Sequence, residues 1–206
     1  MLQFITHKSD RFSIAEEVKM VIDGGCRWVQ LRMKDVSDEE VKSVAEQIIP
    51  MCQETDTILV IDDRVELTMD LKIHGVHLGK NDMPAVDARE YLGAGAIIGV
   101  TANTAQDIIA YKKVDVDYVG LGPFRYTTTK SNLSPIIGLD GYRDIITEVR
   151  NAGVELPIVA IGGITLEDVA ELMSTGVNGV AMSGAILSAE NPTEYTKRVI
   201  EALNKR

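Results

Sequence analysis

One unit recurs along the chain: a short run of β-branched residues, a polar stretch, a helix-like segment, and then glycine before the next run. Gly25 precedes Trp28–Leu31, and Gly93, Gly153 and Gly176 each precede a further apolar run. Glycine adopts the left-handed conformation at low cost, so a glycine just past a helix marks where the helix ends. The repetition predicts strands that alternate with helices, which is typical of a parallel α/β sheet.

The pattern predicts eight strands in the 206 residues. Eight units of about 26 residues are close to the minimum for a strand, a helix and two loops. We therefore predict an α/β fold, a (β/α)8 TIM barrel that forms a single compact domain over residues 1–206. An open doubly wound sheet is the alternative, but no Gly-x-Gly-x-x-Gly follows the first strand. The predicted strands lie near Leu2–Thr6, Trp28–Arg32, Ile58–Ile61, Gly75–Leu78, Ile97–Val100, Tyr118–Leu121, Ile158–Ile161 and Gly179–Met182.

Helix starts are marked as clearly as helix ends. Ser37–Glu40 and Thr165–Asp168 both fit the capping-box pattern, in which a hydroxyl residue is followed three positions later by an acidic residue. Asn191 followed by Pro192 predicts the start of the last helix, because proline is favoured at the first helical position.

Charge and composition exclude several classes of protein. Asp and Glu total 31 against 21 Lys and Arg, a net charge of −10, and an acidic surface of this kind repels nucleic acid. No apolar run is long enough to span a membrane, and the N-terminus lacks the pattern of a signal peptide. Cys26 and Cys52 are too few for a disulfide framework, so we expect free thiols and a cytoplasmic protein.

Basic residues follow the second predicted strand. Gln30, Arg32 and Lys34 share one face if the strand continues that far, since residues two apart point to the same side. The planar fork of Arg and the point charge of Lys together suit a phosphate or diphosphate. A structural ion pair with an acidic neighbour is the alternative.

Carboxylates follow the next two strands. Asp62 and Asp63 come after the third strand and Asp82 after the fourth, which predicts that they converge at one edge of the barrel. Mg²⁺ takes one or two carboxylates and completes its shell with water and phosphate oxygens. A helix N-cap role for Asp63 and a turn role for Asp82 remain the alternatives. His77, within the fourth strand, is by itself more typical of a core histidine.

Hydroxyl and glycine residues follow the later strands. Residues 122–130, after the sixth strand, contain three threonines and a lysine, which suit either an anion-binding loop or a solvated turn. Gly162-Gly163 and Ser183-Gly184 follow the last two strands, where barrels often bind phosphate, although tight turns also use glycine. The residues alone thus predict a barrel that joins or converts two phosphorylated small molecules with magnesium.

Seven short motifs, in this order and spacing, are specific in combination. Through them the chain resembles the thiamine phosphate synthase (thiamine-phosphate diphosphorylase) family over nearly its whole length. The motifs are Gln30–Lys34, Asp62–Arg64, Gly75–Asp82, Ile98–Thr101, Gly122–Lys130, Ala160–Ile164 and Gly179–Ile186.

The resemblance implies a reaction. A hydroxymethylpyrimidine diphosphate loses pyrophosphate, and the nitrogen of a thiazole phosphate attacks the resulting pyrimidine-methyl cation to form thiamine phosphate. By analogy Arg32, Lys34 and Lys130 hold the departing diphosphate, and Asp63 and Asp82 are the magnesium ligands. The charges fit this chemistry, because fixed cations near departing oxygens lower the barrier.

The resemblance also implies substrate contacts. Gln30 and His77 border the pyrimidine, and the Thr101 hydroxyl touches the diphosphate. The implied contacts to the thiazole phosphate are Thr127, Thr129, Gly163, Ser183 and Gly184.

Three positions depart from the family pattern. The family usually has Asn at the position of Asp62, Ser at the position of Thr101, and an aliphatic residue followed by Ser where Ser183 and Gly184 stand. Asp62, which faces the diphosphate, should repel it unless the carboxyl is protonated or joins the metal. We predict that Asp62→Asn keeps or improves turnover.

Other readings of this fold remain open. A thiazole tautomerase-like protein would lack the diphosphate machinery, whereas Lys34, Asp63 and Asp82 are all present. A non-catalytic sensor of a thiamine precursor would bind ligand without releasing pyrophosphate. A phosphate-handling isomerase would need an acid–base pair and no metal pair. The exposed helical ring of a barrel also allows a homodimer, although no apolar stripe marks an interface.

Overall fold

The computed structural model describes residues 1–126 and 135–205. In these residues eight parallel strands close into a barrel in chain order, with β1 paired to both β2 and β8. The predicted TIM barrel is confirmed, and helices follow the strands around its outside. The strands are β1 (Leu2–Ile5), β2 (Trp28–Leu31), β3 (Ile58–Asp62), β4 (Gly75–Leu78), β5 (Ile97–Ala102), β6 (Tyr118–Leu121), β7 (Ile158–Ile161) and β8 (Gly179–Met182).

The helices begin where the sequence signals predict. Ser37 and Glu40 form a reciprocal capping box, and the Asn191 side chain accepts a hydrogen bond from the N–H of Glu194. The Thr165 capping box begins a short 3-10 helix, Leu166–Asp168, that leads into α7. The described helices are α1 (Ile14–Asp23), α2 (Asp38–Glu54), α3 (Val65–Asp70), α4 (Ala85–Leu92), α5 (Ala105–Ala110), α6 (Gly138–Asn151), α7 (Val169–Ser174), α8 (Gly184–Leu187) and α9 (Pro192–Asn204), with a second 3-10 segment at Tyr111–Lys113.

The strands are buried on both faces, as in other parallel barrels. One face packs against the helices in the larger core, and the other fills the barrel interior. Trp28 and Tyr118 meet edge to face in that interior, with ring centroids 4.6 Å apart. These side chains fill the middle of the barrel, so space for a cavity remains at the carboxyl ends of the strands.

Strand ends differ slightly from the sequence prediction. β2 ends at Leu31 rather than at Arg32, because the Thr6 hydroxyl accepts the Arg32 N–H and donates to the Arg32 carbonyl oxygen, in place of strand pairing. β3 extends by one residue to Asp62, and β5 extends by two to Ala102, which places Thr101 within a strand. Two predicted site residues therefore project from the barrel wall itself.

In the part of the chain that the structure describes, no helix combines the length and the hydropathy that a membrane span requires. Cys26 and Cys52 are both buried free thiols, as predicted.

Candidate active site

A cavity of about 490 Å³ opens at the carboxyl ends of the strands. Seven of the residues predicted for the site line it, contributed by five different strands or the loops that follow them. These seven are Gln30, Arg32, His77, Thr101, Gly163, Ser183 and Gly184.

Asp62 is the centre of a charged cluster beside this cavity. Its Oδ1 accepts a hydrogen bond of 2.6 Å from Gln30 Nε2. Its Oδ2 lies 3.0 Å from Lys34 Nζ and 3.7 Å from Arg32 Nε, at ion-pair distance but without hydrogen-bond geometry. The Asp62 side chain is only 7% exposed, so its charge requires these partners. Gln30, Arg32 and Lys34 thus meet at one carboxylate, although β2 ends before the last two.

The charges of this cluster cancel. Lys34 also pairs with Asp63, so two cations, Arg32 and Lys34, face two carboxylates, Asp62 and Asp63. The ion-pair alternative raised by the sequence is therefore present in the structure. The cluster brings no net positive charge to an incoming anion.

Asp63 and Asp82 lie on adjacent loops and have different surroundings. Asp63 has φ of 67°, a strained conformation for a residue with a side chain, and its N–H donates to the His77 carbonyl oxygen. It is not a helix N-cap, since Arg64 occupies that position of α3. Asp82 Oδ2 accepts the Gly79 N–H at 2.6 Å, which is the turn role raised as an alternative.

The described residues form no cluster of three potential metal ligands. Among their hydrogen bonds and ion pairs, none links Asp63 to Asp82. The two carboxylates nevertheless offer hard oxygen donors on neighbouring loops, a chemistry that suits Mg²⁺ when phosphate oxygens and water complete the shell. The donor set therefore fits the ion.

A network of hydrogen-bonded side chains crosses the barrel interior to the cavity. Gln3 Nε2 donates to the Tyr118 hydroxyl at 3.0 Å, and this hydroxyl lies 3.0 Å from His77 Nδ1. His77 Nε2 lies 3.0 Å from Thr101 Oγ1. Burial raises the pKa of Tyr118, so its hydroxyl keeps its proton. His77 is thus buried with both ring nitrogens hydrogen-bonded, as the core-histidine interpretation expects, and it also lines the cavity.

Hydrogen bonds and an ion pair connect the β6–α6 loop to the end of β7 and the loop after it, across the cavity from the Asp62 cluster. The Phe124 N–H donates to the Ile161 carbonyl oxygen at 2.8 Å, and the Arg125 N–H donates to the Gly162 carbonyl oxygen at 2.9 Å. The Arg125 guanidinium makes a bidentate pair with Asp168, at 2.8 and 2.7 Å. Gly163 has φ of 65°, and a Cβ there would lie 2.8 Å from the Tyr126 carbonyl oxygen, so a larger residue would disturb both loops.

Ser183 and Gly184 form the wall after β8. Ser183 Oγ is buried and has no hydrogen-bond partner among the described residues. Gly184, the first residue of α8, has open space where a Cβ would stand. An unsatisfied hydroxyl beside exposed backbone amides suits an anionic ligand that brings its own acceptors.

Three predicted site residues lie outside the described residues: Thr127, Thr129 and Lys130. Their predicted contacts stay predictions.

Sequence reasoning missed Gln3, Tyr118 and Asn103. Gln3 and Tyr118 belong to the hydrogen-bond network that reaches His77, and Asn103 lines the cavity and donates to the Gly122 carbonyl oxygen at 2.5 Å. A polar residue inside an otherwise apolar strand, as Gln3 is in β1, was the signal available for the first. Tyr118 gave none, because tyrosine is common in apolar strands.

One buried carboxyl lies behind the β1–α1 loop. Glu17 on α1 is fully buried, its Oε2 accepts the His7 N–H at 3.2 Å, and its Oε1 has no partner in the described structure. Burial raises the pKa of Glu17 to about 7, against the opposing effect of the His7 N–H. Burial and the nearby Arg32 charge lower the pKa of His7.

Comparisons with known proteins agree with one another. The sequence model of the thiamine monophosphate synthase family matches residues 2–186. A thiamine-phosphate synthase of Bacteroides fragilis is 53% identical over 199 residues, covering 97% of this chain and 98% of its own, and that of Bacteroides thetaiotaomicron is 52% identical over 199 residues, with 97% and 95% covered. The solved thiamine phosphate pyrophosphorylase of Pyrococcus furiosus superposes with a TM-score of 0.85 at 30% identity, covering 98% of this chain and 94% of that one. The chain therefore belongs to the thiamine monophosphate synthase family.

Proposed function

We propose that this protein joins a hydroxymethylpyrimidine diphosphate to a thiazole phosphate, releasing pyrophosphate and forming thiamine phosphate. By family and by full-length similarity the chain is an enzyme of the thiamine-phosphate synthase type, a transferase. The observation that carries the proposal is one cavity with Arg32 and the charged cluster behind it at one side, and a glycine-rich wall with the unpartnered Ser183 hydroxyl at the other.

The diphosphate belongs at the charged side. Arg32 and Lys34 would hold its oxygens, with Lys130 as a third cation. Since Arg32 and Lys34 are already balanced by Asp62 and Asp63, a diphosphate needs further positive charge. This charge balance supports a divalent cation at the site.

Asp63 and Asp82 would hold Mg²⁺, which when bound supplies positive charge to the leaving diphosphate oxygens. With the ion bound, Asp63 would give up its pairing with Lys34, and the ammonium group, still paired with Asp62, could turn toward the diphosphate. Asp62 stays paired with Gln30 and keeps the side chains of β2 in place.

The pyrimidine fits between the two sides. Gln30 Oε1 is buried without a hydrogen-bond partner in the described structure, while its Nε2 is committed to Asp62. This free acceptor requires a donor on the ligand, because an unsatisfied buried carbonyl is unfavourable. His77 borders the same space, and Thr101 Oγ1 lies at the diphosphate end.

The thiazole phosphate belongs at the wall formed by Gly163, Ser183 and Gly184, which we call the neutral side. The Ser183 hydroxyl and the backbone N–H groups of Gly163 and Gly184 would bind its phosphate, with Thr127 and Thr129 as further contacts. Backbone amides at a loop suit a monophosphate because they supply donors without a counter-ion. Phosphate binding at this wall is part of the proposal.

The transfer step uses both sides of the cavity. The bond between the pyrimidine methylene carbon and the diphosphate oxygen breaks, and its electron pair leaves on the oxygen. Charge on that oxygen grows next to Arg32 and Lys34, which stabilise it more in the transition state than in the bound substrate. The thiazole nitrogen then gives its lone pair to the methylene carbon, forming the new C–N bond.

The test is a product assay. Purified protein is mixed with Mg²⁺, the pyrimidine diphosphate and the thiazole phosphate, and pyrophosphate and thiamine phosphate are measured. We expect both products in equal amounts and their loss on chelation, with recovery when Mg²⁺ is restored. Omission of either substrate is the control, because pyrophosphate without thiazole phosphate would indicate simple hydrolysis.

Other outcomes identify the rival functions. Binding of the thiazole phosphate without pyrophosphate release, in folded protein, would contradict the proposal and favour a tautomerase-like protein or a sensor. Product that persists in a chelator would contradict the magnesium site while leaving the transfer intact. We also propose a cytoplasmic protein, in line with two buried free thiols, and a homodimer; size-exclusion chromatography with light scattering tests the latter.

A further inference from the structure

We infer that Tyr118 and Gln3 are positioning residues, which hold His77 in its Nε2–H tautomer and thereby turn the Thr101 hydroxyl proton into the cavity. The effect on catalysis rests on the proposed function, whereas the tautomer is a property of the protein alone. Neither Tyr118 nor Gln3 has a place in the reaction described above.

The contact between Gln3 and Tyr118 sets the donor-to-acceptor direction of the hydrogen-bond network. Gln3 Nε2 is a donor and has no lone pair to offer, so the Tyr118 oxygen accepts at this contact. Tyr118 is buried, 3% exposed, and its own proton needs an acceptor because an unsatisfied buried hydroxyl is unfavourable. Among the residues that the structure describes, the acceptor at hydrogen-bond distance is His77 Nδ1, at 3.0 Å.

The contacts from Tyr118 to His77 and from His77 to Thr101 follow the same donor-to-acceptor direction. A neutral imidazole that accepts at Nδ1 carries its proton on Nε2. That N–H donates to Thr101 Oγ1 at 3.0 Å, and the Thr101 hydroxyl is then free to point its proton toward the cavity that it lines. A hydroxyl that donates suits a diphosphate oxygen, which is purely an acceptor.

Two glycines leave space for the Tyr118 and His77 rings of this hydrogen-bond network. Gly99 stands beside both His77 and Tyr118 in the register of β4, β5 and β6, and a Cβ at Gly99 would overlap the Tyr118 ring. Gly120 pairs with Thr101, and a Cβ there would lie 3.2 Å from His77 Cε1. Side chains at either position would displace the ring that the glycine accommodates.

Packing against Trp28 also holds the Tyr118 ring in place. Trp28 meets the Tyr118 ring edge to face at an interplanar angle of 81°. The ring therefore has little freedom to rotate its hydroxyl away from His77.

The decisive experiment reads the tautomer directly. In protein labelled with 15N at histidine, the three imidazoles are resolved by NMR and assigned with His7→Gln and His74→Gln. We expect His77 to show an unprotonated Nδ1 and a protonated Nε2 at pH 8. His74 is an internal reference for that state, because its Nδ1 accepts the Leu59 N–H at 3.1 Å.

Tyr118→Phe removes the hydroxyl and keeps the ring. We expect His77 to lose its single tautomer and show exchange between the two. Tyr142→Phe is the matched control for the NMR signal, since it removes another buried hydroxyl, one that donates to the Leu121 carbonyl oxygen instead. A wild-type Nδ1–H tautomer, a doubly protonated His77 at pH 8, or unchanged His77 signals in Tyr118→Phe would overturn the inference. The wild-type spectrum decides the polarity even if the variant does not fold.

Activity provides the second readout. We expect Tyr118→Phe to lower kcat about tenfold, the value of roughly one hydrogen bond, with both KM values changed less than about twofold. Thr101→Val should lower kcat by at least as much, Thr101→Ser should restore it, and Tyr118→Phe added to Thr101→Val should cause no further loss. Additive losses would contradict action through Thr101. A wild-type protein that forms no product would refute the proposed function but leave the NMR test standing.

Discussion

The two sides of the cavity offer an incoming anion different partners. On the charged side Arg32 lines the cavity, and the other members of its cluster, Lys34, Asp62 and Asp63, lie beside it. The side formed after β7 and β8 uses glycines, backbone amides and the Ser183 hydroxyl. A side-chain cluster whose carboxylates balance its cations offers an anion no net charge, which is why we propose a metal ion there, whereas a backbone wall carries no such carboxylates. The charged side should therefore respond strongly to charge removal, and the neutral side to changes of shape.

The largest expected effect is at the charged side. Lys34→Ala should lower kcat/KM for the pyrimidine diphosphate about 100-fold or more, because it removes a cation from the developing charge. Steady-state kinetics with the pyrimidine substrate varied measure the loss. Lys19→Ala, which removes a surface lysine paired with Asp23, is the control and should be neutral. A Lys34→Ala enzyme within about threefold of wild type would refute the assignment.

A change of shape should act on the neutral side. Gly163→Ala introduces a Cβ at φ of 65° and 2.8 Å from the Tyr126 carbonyl oxygen. We expect KM for the thiazole phosphate to rise about tenfold while KM for the pyrimidine diphosphate changes little. Gly95→Ala is the control, since nothing lies within 4 Å of a Cβ at that position. An equal rise in both KM values would mean that the two sides are not separate sites.

A buried carboxyl that belongs to neither side, Glu17 behind the β1–α1 loop, should make the stability of the whole protein depend on pH. Its pKa is raised from 4.5 to about 7, so the folded protein keeps a proton that the unfolded chain releases. The free energy of unfolding should therefore fall as pH rises from 4.5 to about 7, by at most about 1.4 kcal/mol per pH unit. Urea unfolding of Glu17→Gln across this range should lack that slope. The same slope in wild type and variant would contradict the assignment.

The smallest expected effect is at Asp62. Asp62→Asn keeps an oxygen that accepts the hydrogen bond from Gln30 Nε2. It removes one of the two carboxylate charges that pair with Lys34. Turnover should stay the same or rise up to about threefold, as measured in the product assay. Asp62→Ala, which also removes the Gln30 partner, is the comparison and should be slower. A large loss in Asp62→Asn would show that the negative charge itself has a role.

Much of this site was predictable because a barrel places the residues at the carboxyl ends of its strands close together. Gln30, Arg32, His77 and Thr101 come from three different strands and the loop after one of them, yet their positions in the repeat were enough to bring them to one cavity. Polar residues after β-branched runs were a sufficient signal, since strand ends of a parallel barrel meet at one rim.

Other features depended on contacts that the sequence does not encode locally. The central position of Asp62 arises because β2 and β3 align Gln30 with Val60, which brings the next inward residue of β3 beside the β2 cations. The role of Tyr118 depends on Gly99 in the neighbouring strand, which leaves room for its ring. Strand register across the barrel decides such pairings, and no single strand reveals it.

The central claim is that the charged side binds the diphosphate through a carboxylate-held magnesium ion, and pyrophosphate binding tests it most directly. Isothermal titration calorimetry of the wild-type protein with pyrophosphate should give a Kd at least about tenfold lower in Mg²⁺ than in chelator. Asp63→Asn and Asp82→Asn should each lose that gain while inorganic phosphate still binds at the neutral side. Equal pyrophosphate affinity with and without Mg²⁺, or a gain that survives in both variants, would contradict the account.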